Sequence, residues 1–211
     1  MPALLSAEAL SSRLTALPPS CGPVRLVGVD GHAGSGKTTL AALLSAELGG
    51  VPVLHLDDLA AHDVLFDWTD RLADQVLAPL GRGESARYEV YDWVERARTS
   101  EAVLPPAPVV LVEGVGAGRA ALRPYLACLL WMDVPCGEAW RRGQERDGPA
   151  QRAFWEGWIP AERAHFARDP SRPYAHWLVR KAAGGPGYHA AHVRYAGQEE
   201  YAVLEGPAGQ A

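Results

Sequence analysis

The chain has 211 residues, 48% of them hydrophobic, which suffices for one α/β domain around a buried sheet and is short for two independent cores. Lys and Arg together number 20 against 25 Asp and Glu, a formal charge of −5. That sign is opposite to the basic footprint of a protein that grips a phosphate backbone, so no nucleic acid partner is expected.

The cysteines, Cys21, Cys128 and Cys136, are odd in number and lie outside any C-x-x-C; Cys128 sits in an apolar run where a small buried hydrophobe would serve. A reducing cytoplasm fits this usage. No stretch approaches the roughly 18–20 apolar residues of a membrane span, and Met1 to Leu10 carry Glu8 and no Lys or Arg. A soluble, unprocessed protein with no membrane partner is expected.

Leu4, Leu5, Leu10, Leu14 and Leu17 recur at near-helical spacing behind Ser6, and Pro18 and Pro19 stop the pattern, which predicts an amphipathic first helix. Val24 to Val29 reads as a strand ending in Asp30 and Gly31, and Thr38 to Leu48 as a helix closed by Gly49 and Gly50. Val51–Leu56, Val109–Glu113 and Leu126–Asp133 are further short apolar runs, each separated by enough chain for a crossover helix. The sheet is therefore expected to be mainly parallel and covered on both faces. Asp67–Leu80, Pro135–Arg146 and Ala150–Phe166 read as helices, the last with Gly157 and Pro160 as candidate break points, and His176–Val179 as a last short strand. Beyond Ala182, Gly184, Gly185, Pro186 and Gly187 lead to a hairpin or loose appendage in which Val193–Tyr195 and Tyr201–Leu204 flank a turn at Gly197. One domain over 1–211 is expected, with its core at about 22–182 and a glycine-rich appendage at 183–211.

Gly31-His32-Ala33-Gly34-Ser35-Gly36-Lys37-Thr38, followed by Thr39, satisfies G-x-x-x-x-G-K-[ST] between a predicted strand and a predicted helix. The glycines let backbone N–H groups turn inward around phosphates, and the helix adds its positive end. Lys37 then reaches the β/γ oxygens and Thr38 offers a hydroxyl to Mg²⁺. Residues 31–39 are accordingly the expected ATP-binding set. The chain has no N-K-x-D guanine-reading motif and no L-S-G-G-Q transporter signature, which leaves a small-molecule kinase as the simplest reading.

Asp57 and Asp58 follow the second strand, and Glu113 ends the third apolar run, all at the sheet edge where open α/β sheets place ligands. One aspartate suits a proton acceptor that also helps hold metal, and Glu113 suits Mg²⁺; each also reads as a solvated strand-end carboxylate. Arg142 and Arg146 share a helix face, placed either to neutralise a transferring phosphoryl or to pair on a surface helix in which Glu138 meets Arg142 and Arg141 meets Glu145. Tyr88, Tyr91 and Trp93 interleave with Arg96 and Arg98 in a loop-like stretch, suited to stacking on a ring or to packing. Phe154, Trp155 and Trp158 read as core.

In this order, from about Val24 to Val179, the motifs resemble the uridine kinase family of P-loop kinases. Leu56-Asp57-Asp58-Leu59 is similar to its D-S-F-Y or D-D-F-Y, Phe66-Asp67-Trp68 to its F-D-H, and Val90-Tyr91-Asp92-Trp93 to its V-Y-D-F. Val112-Glu113-Gly114 is similar to its F-E-G, Arg146-Asp147 to the R-D of its lid, and Tyr174-Ala175-His176 to its Y-A-D. The resemblance implies a five-stranded parallel sheet, a mobile helical lid, and transfer from ATP to a nucleoside 5′-hydroxyl. Asp57 would be the general base, Asp67 would bind the sugar, Tyr91 and Trp93 the nucleoside, and Glu113 the metal.

Three departures accompany it. Arg96 replaces the base-reading histidine and carries five donors and no acceptor, which favours a carboxylate, a phosphate or a carbonyl-rich edge, unless it only pairs with Asp92 or the neighbours of Glu95 on a solvated loop. Arg142 and Arg146 are spaced by four where the family spaces its lid arginines by three, and the C-terminal helix gives way to the appendage. The expected activity is an ATP- and Mg²⁺-dependent kinase of a small-molecule hydroxyl; a non-nucleoside alcohol as acceptor, or an ATP-binding regulator or slow ATPase, remains open, as does homo-oligomerisation.

Overall fold

The computed structural model describes residues 7–181 and 188–192. Its centre is built from the apolar runs. β1 (Arg25–Asp30) is buried at every residue but the first, β5 (Val109–Glu113) throughout, and β6 (Leu126–Met132) over its last five residues. Such unbroken burial fits strands covered on both faces. With β2 (Val53–His55) and β7 (Trp177–Lys181) these form the expected five parallel strands, and their spatial order is β2-β5-β1-β6-β7. A sixth, β8 (Tyr188–His192), extends the edge antiparallel to β7. The expected turn between Val193 and Leu204 lies outside the described residues.

Successive residues of each strand serve opposite layers, because side chains alternate along a strand. Val27, Val29, Leu111 and Leu130 pack with Leu10 and Leu14 of α1 (Ala7–Ala16) and with Leu40, Ala41 and Leu44 of α2 (Lys37–Glu47). Leu26, Val110 and Val112 face the other way, onto Trp68, Leu72, Val76 and Leu80. These last side chains belong to the expected 67–80 helix, which forms as α3 (Thr69–Leu72) and α4 (Ala78–Gly81) joined through a π-helical turn at Ala73–Leu77.

Two expectations are corrected. The Tyr88–Arg98 stretch is not a loop but part of a separate antiparallel hairpin, β3 (Ala86–Asp92) and β4 (Ala97–Leu104). Ala86 and Tyr88 point inward while Arg87 and Glu89 point out, an alternation that the charged outer residues obscure in the sequence. The Ala150–Phe166 segment does not split: α6 (Arg152–Arg168) runs through Gly157 and Pro160 as one helix. A proline removes one N–H and crowds the carbonyl four residues back. That carbonyl belongs to solvent-exposed Glu156, whereas Trp155, Trp158 and Glu162 hold the helix by its buried face. α5 (Cys136–Asp147) precedes it as expected.

Candidate active site

β1 hands directly into the glycine loop and then α2. Gly34 and Gly36 have φ of 81° and 99°, in the left-handed region that glycine adopts at least strain. Gly34 is required for a second reason: a Cβ there would stand 2.0 Å from the carbonyl oxygen of Ala139 on α5, so loop and helix meet backbone to backbone. Gly36 is the N-cap of α2 and offers no side-chain cap, which leaves the first N–H groups of an 11-residue helix unclaimed by any capping side chain. Lys37 is buried and its Nζ donates to the His32 carbonyl at 3.1 Å. Asp30, wholly buried, anchors the loop's start by accepting from the amides of Gly31, Gly116 and Gly118 at 2.7, 2.9 and 2.8 Å.

The acids arrive on neighbouring parallel strands. Glu113, at the end of β5, accepts the Thr38 hydroxyl at 3.1 Å, and the same oxygen lies 2.6 Å from His55 Nδ1. This short bond to Glu113 raises the His55 pKa, against the effect of burial. Asp57 opens onto the cleft on one side and is hemmed by protein on the others. Loss of solvent raises its pKa; Lys37 pulls it down, and Glu113 and Asp58 push it further up. Water in the open cleft screens part of this shift. Asp58 turns elsewhere, accepting from the Tyr88 hydroxyl at 3.4 Å.

These groups line one cleft of about 420 Å³ containing Lys37, Thr38, Asp57, Glu113, Arg142 and Arg146. Ala33, Gly34, Gly36, Thr39 and Trp93 also border it. Arg142 pairs with Glu138, and Arg141 with Glu145, as the surface-helix reading expects, while Arg142 and Arg146 also border the cleft. Arg146 pairs with Asp147 at 2.6 Å. Thr38, Asp57 and Glu113 offer oxygen atoms only, a donor set suited to Mg²⁺, which keeps several waters and shares phosphate oxygens. Arg142 also borders a second cavity, of about 460 Å³, with His32, Trp131, Cys136, Arg172 and Arg180.

Not every expected residue reaches the cleft. The His32 ring turns away from it, its Nδ1 2.7 Å from Glu162 and the ring in edge-to-face contact with Trp131, Trp140 and Phe166. Tyr91 is buried behind Trp93, its hydroxyl 2.9 Å from His62 Nδ1. Asp67 is exposed and lies outside the cleft. Arg96 borders an adjoining side cavity with His62, Phe154 and Trp158.

The structure also supplies residues that sequence reasoning assigned elsewhere. Phe154, Trp155 and Trp158, read as core, do pack in a hydrophobic cluster with Val115 and Trp140, and they also form a wall of the cleft. Behind them Glu162, with no exposed surface, accepts from Trp140 Nε1, Trp158 Nε1 and the Ala33 amide at 3.0, 2.7 and 3.1 Å, and meets His32. Burial alone would raise its pKa, but these four bonds together lower it. α6 is thereby tied to the phosphate loop. The signal was present in the spacing 155, 158, 162, 165, which puts Trp, Trp, Glu and His on one helix face.

A parallel sheet with a G-x-x-x-x-G-K-T loop between β1 and α2, and an acid ending the neighbouring strand, defines a P-loop nucleotide-binding protein. No family model matches the chain. A uridine kinase of Borrelia duttonii is 25% identical over 177 residues, covering 74% of this chain and 86% of that protein. A dephospho-CoA kinase of Thermus thermophilus is 30% identical over 172 residues, covering 73% and 81%. Among solved structures, a possible uridine kinase from Bacillus stearothermophilus superposes with a TM-score of 0.53 at 23% identity, covering 74% of this chain and 94% of that one. The chain belongs to the P-loop kinases and is uridine kinase-like. Among the described residues no helix is long and apolar enough to cross a membrane.

Proposed function

We propose that this kinase transfers the γ-phosphoryl of ATP to a hydroxyl of a small molecule, with Asp57 as general base. One observation carries the reading: Lys37 and Thr38 at the start of α2, Asp57 after β2 and Glu113 at the end of β5 come from three separate stretches of sequence and face a single cleft. Lys37 would exchange the His32 carbonyl for the β/γ oxygens, joining the loop amides and the N-terminus of α2 around the phosphates. Arg142 and Arg146 border the space into which charge spreads during transfer. The second cavity, continuous with Arg142, accommodates the nucleoside end of ATP.

The acceptor oxygen attacks γ-phosphorus as the bond to the β-bridging oxygen breaks; ADP leaves and the hydroxyl proton passes to Asp57. Thr38 and Glu113, with Asp57 beside them, would hold Mg²⁺ directly or through water. Bound there, the ion neutralises charge on the transferring phosphoryl. His55 keeps Glu113 oriented from its outer side. The relatives' acceptors differ, uridine in one and dephospho-CoA in the other, so the acceptor must come from this chain's own cavity.

The test is a screen of hydroxyl metabolites with Mg·ATP, following acceptor-dependent ADP release and the phosphorylated product by ³¹P NMR. Release that depends on an acceptor and disappears in Lys37→Ala is expected. ADP release indifferent to every acceptor, or equal in a folded Lys37→Ala, would remove the proposal.

A further inference from the structure

The hairpin tip and α6 enclose a side cavity of about 380 Å³ bordered by His62, Leu65, Arg96, Gln151, Phe154 and Trp158. Phe154 and Trp158 also border the phosphate cleft, so the two spaces meet across these rings. Trp93, at the start of the turn, donates its Nε1–H to the Asp57 carbonyl at 3.1 Å and ties the tip to the cleft. Among the described residues Arg96 is the one permanently charged member of this lining.

Three further features distinguish Arg96. Among the described residues it is the one non-glycine residue with positive φ, 54°, at a position where glycine would be the low-strain choice. Its guanidinium has no hydrogen-bond or ion-pair partner among the described residues. Of the nearby acids, Asp92 accepts the Val94 and Glu95 amides at 2.8 and 2.9 Å through one oxygen, and Glu89 lies 3.6 Å from Arg71 and 4.0 Å from Arg98. A strained backbone therefore holds an unpaired cation beside an aromatic wall that leads to the cleft.

We infer that this cavity is the distal acceptor subsite and takes a ring-bearing alcohol with an anionic group, a carboxylate or a phosphate monoester, remote from its hydroxyl. Arg96 donates to the anion, since a guanidinium matches either oxyanion with two parallel N–H groups. Phe154, Trp158 and His62 pack against the ring. The hydroxyl then lies toward Asp57, and this last step rests on the kinase reading above; binding of the anion does not.

The experiment is calorimetric titration of the intact protein with matched pairs: orotidine against uridine, and 4-(hydroxymethyl)benzoate and 4-(hydroxymethyl)phenyl phosphate against 4-methylbenzyl alcohol. The first two anions report carboxylate binding and the third phosphate. The anionic member of at least one pair should bind about tenfold more tightly or better, as for a charge-assisted hydrogen bond. Arg96→Gln and Arg96→Gly should both erase the advantage, and Arg96→Gly should do so with an unchanged or higher melting temperature. Arg141→Gln, an exposed arginine of α5 that borders neither space, should keep it. Equal binding within every pair, no binding by any member, or an advantage that survives Arg96→Gln overturns the inference. An anion advantage without ADP release in the same mixtures would instead reject the kinase reading and leave the subsite standing.

Discussion

Replacing Glu162 by Gln tests how tightly the phosphate loop depends on α6. One carboxylate oxygen meets His32 Nδ1 at 2.7 Å and Trp140 Nε1 at 3.0 Å; the other meets the Ala33 amide at 3.1 Å and Trp158 Nε1 at 2.7 Å. Glutamine has one accepting oxygen and one NH₂. Turned toward Ala33 and Trp158, the NH₂ faces two donors that cannot change. Turned the other way it faces Trp140 and His32, whose ring can move its proton to Nε2 and accept. The second arrangement is better and still leaves the Trp140 N–H without an acceptor. One orphaned buried donor costs about 1–3 kcal/mol, and the remaining bonds lose their ionic assistance, so a total of about 2–4 kcal/mol is expected. For a chain of this size that is a fall in Tm of roughly 5–15 °C. Urea unfolding at pH 7 measures the stability, and titration with Mg·ATP should show weaker binding because the Ala33 amide keeps only a neutral acceptor and His32 must change tautomer to keep its bond.

The pH dependence supplies an independent check on Glu162. Its pKa is lower folded than unfolded, so its stabilisation is complete above the ordinary glutamate value of about 4.3 and is lost as pH falls through the folded value. The gap between parent and variant should narrow on acidification. A Glu162→Gln protein within about 0.5 kcal/mol of the parent, with unaltered ATP affinity, would refute the reasoning.

Asp57→Asn should slow phosphoryl transfer by about 10²-fold or more, while Asp58→Asn, whose carboxylate faces Tyr88, should change it little; the reverse pattern in steady-state kinetics would show the wrong aspartate had been chosen. Burial holds the His165 pKa down at about 4. The unfolded chain therefore binds more protons between about pH 4 and 6.5, and stability falls on acidification across that window by up to about 3 kcal/mol. His165→Phe preserves the stack on Phe66, 4.6 Å between centroids, and should flatten that part of the urea-derived profile. Gly34→Ala should cost more than about 2 kcal/mol and remove ATP binding, through left-handed strain and collision with the Ala139 carbonyl; a stable, ATP-binding variant in thermal melts would contradict the described packing.

The sheet was legible because its strands are buried on both faces, so β1, β5 and β6 are written as continuous apolar runs of local sequence. The phosphate loop was legible for a similar reason: its glycines, Lys37 and Thr38 are contiguous, and backbone geometry over eight residues is a local property. The hairpin was not, since its outer face carries Arg87, Glu89 and Arg98 and its inner face packs only part of each strand. Nor could sequence separate Asp57 from Asp58 by chemistry, because adjacent residues differ only in which way the chain aims them; the turn after β2 sends one into the cleft and the other to Tyr88.

Sequence by itself thus determined the class of chemistry, a phosphate-binding loop with strand-end acids in an α/β domain. Tertiary structure decided which long-range partners complete it. Glu162 lies 130 residues from His32, and no local pattern couples a helix face to a loop at that separation. The same holds for Arg96, whose charge carries meaning only because the hairpin turns it, unpaired, toward the aromatic face of α6.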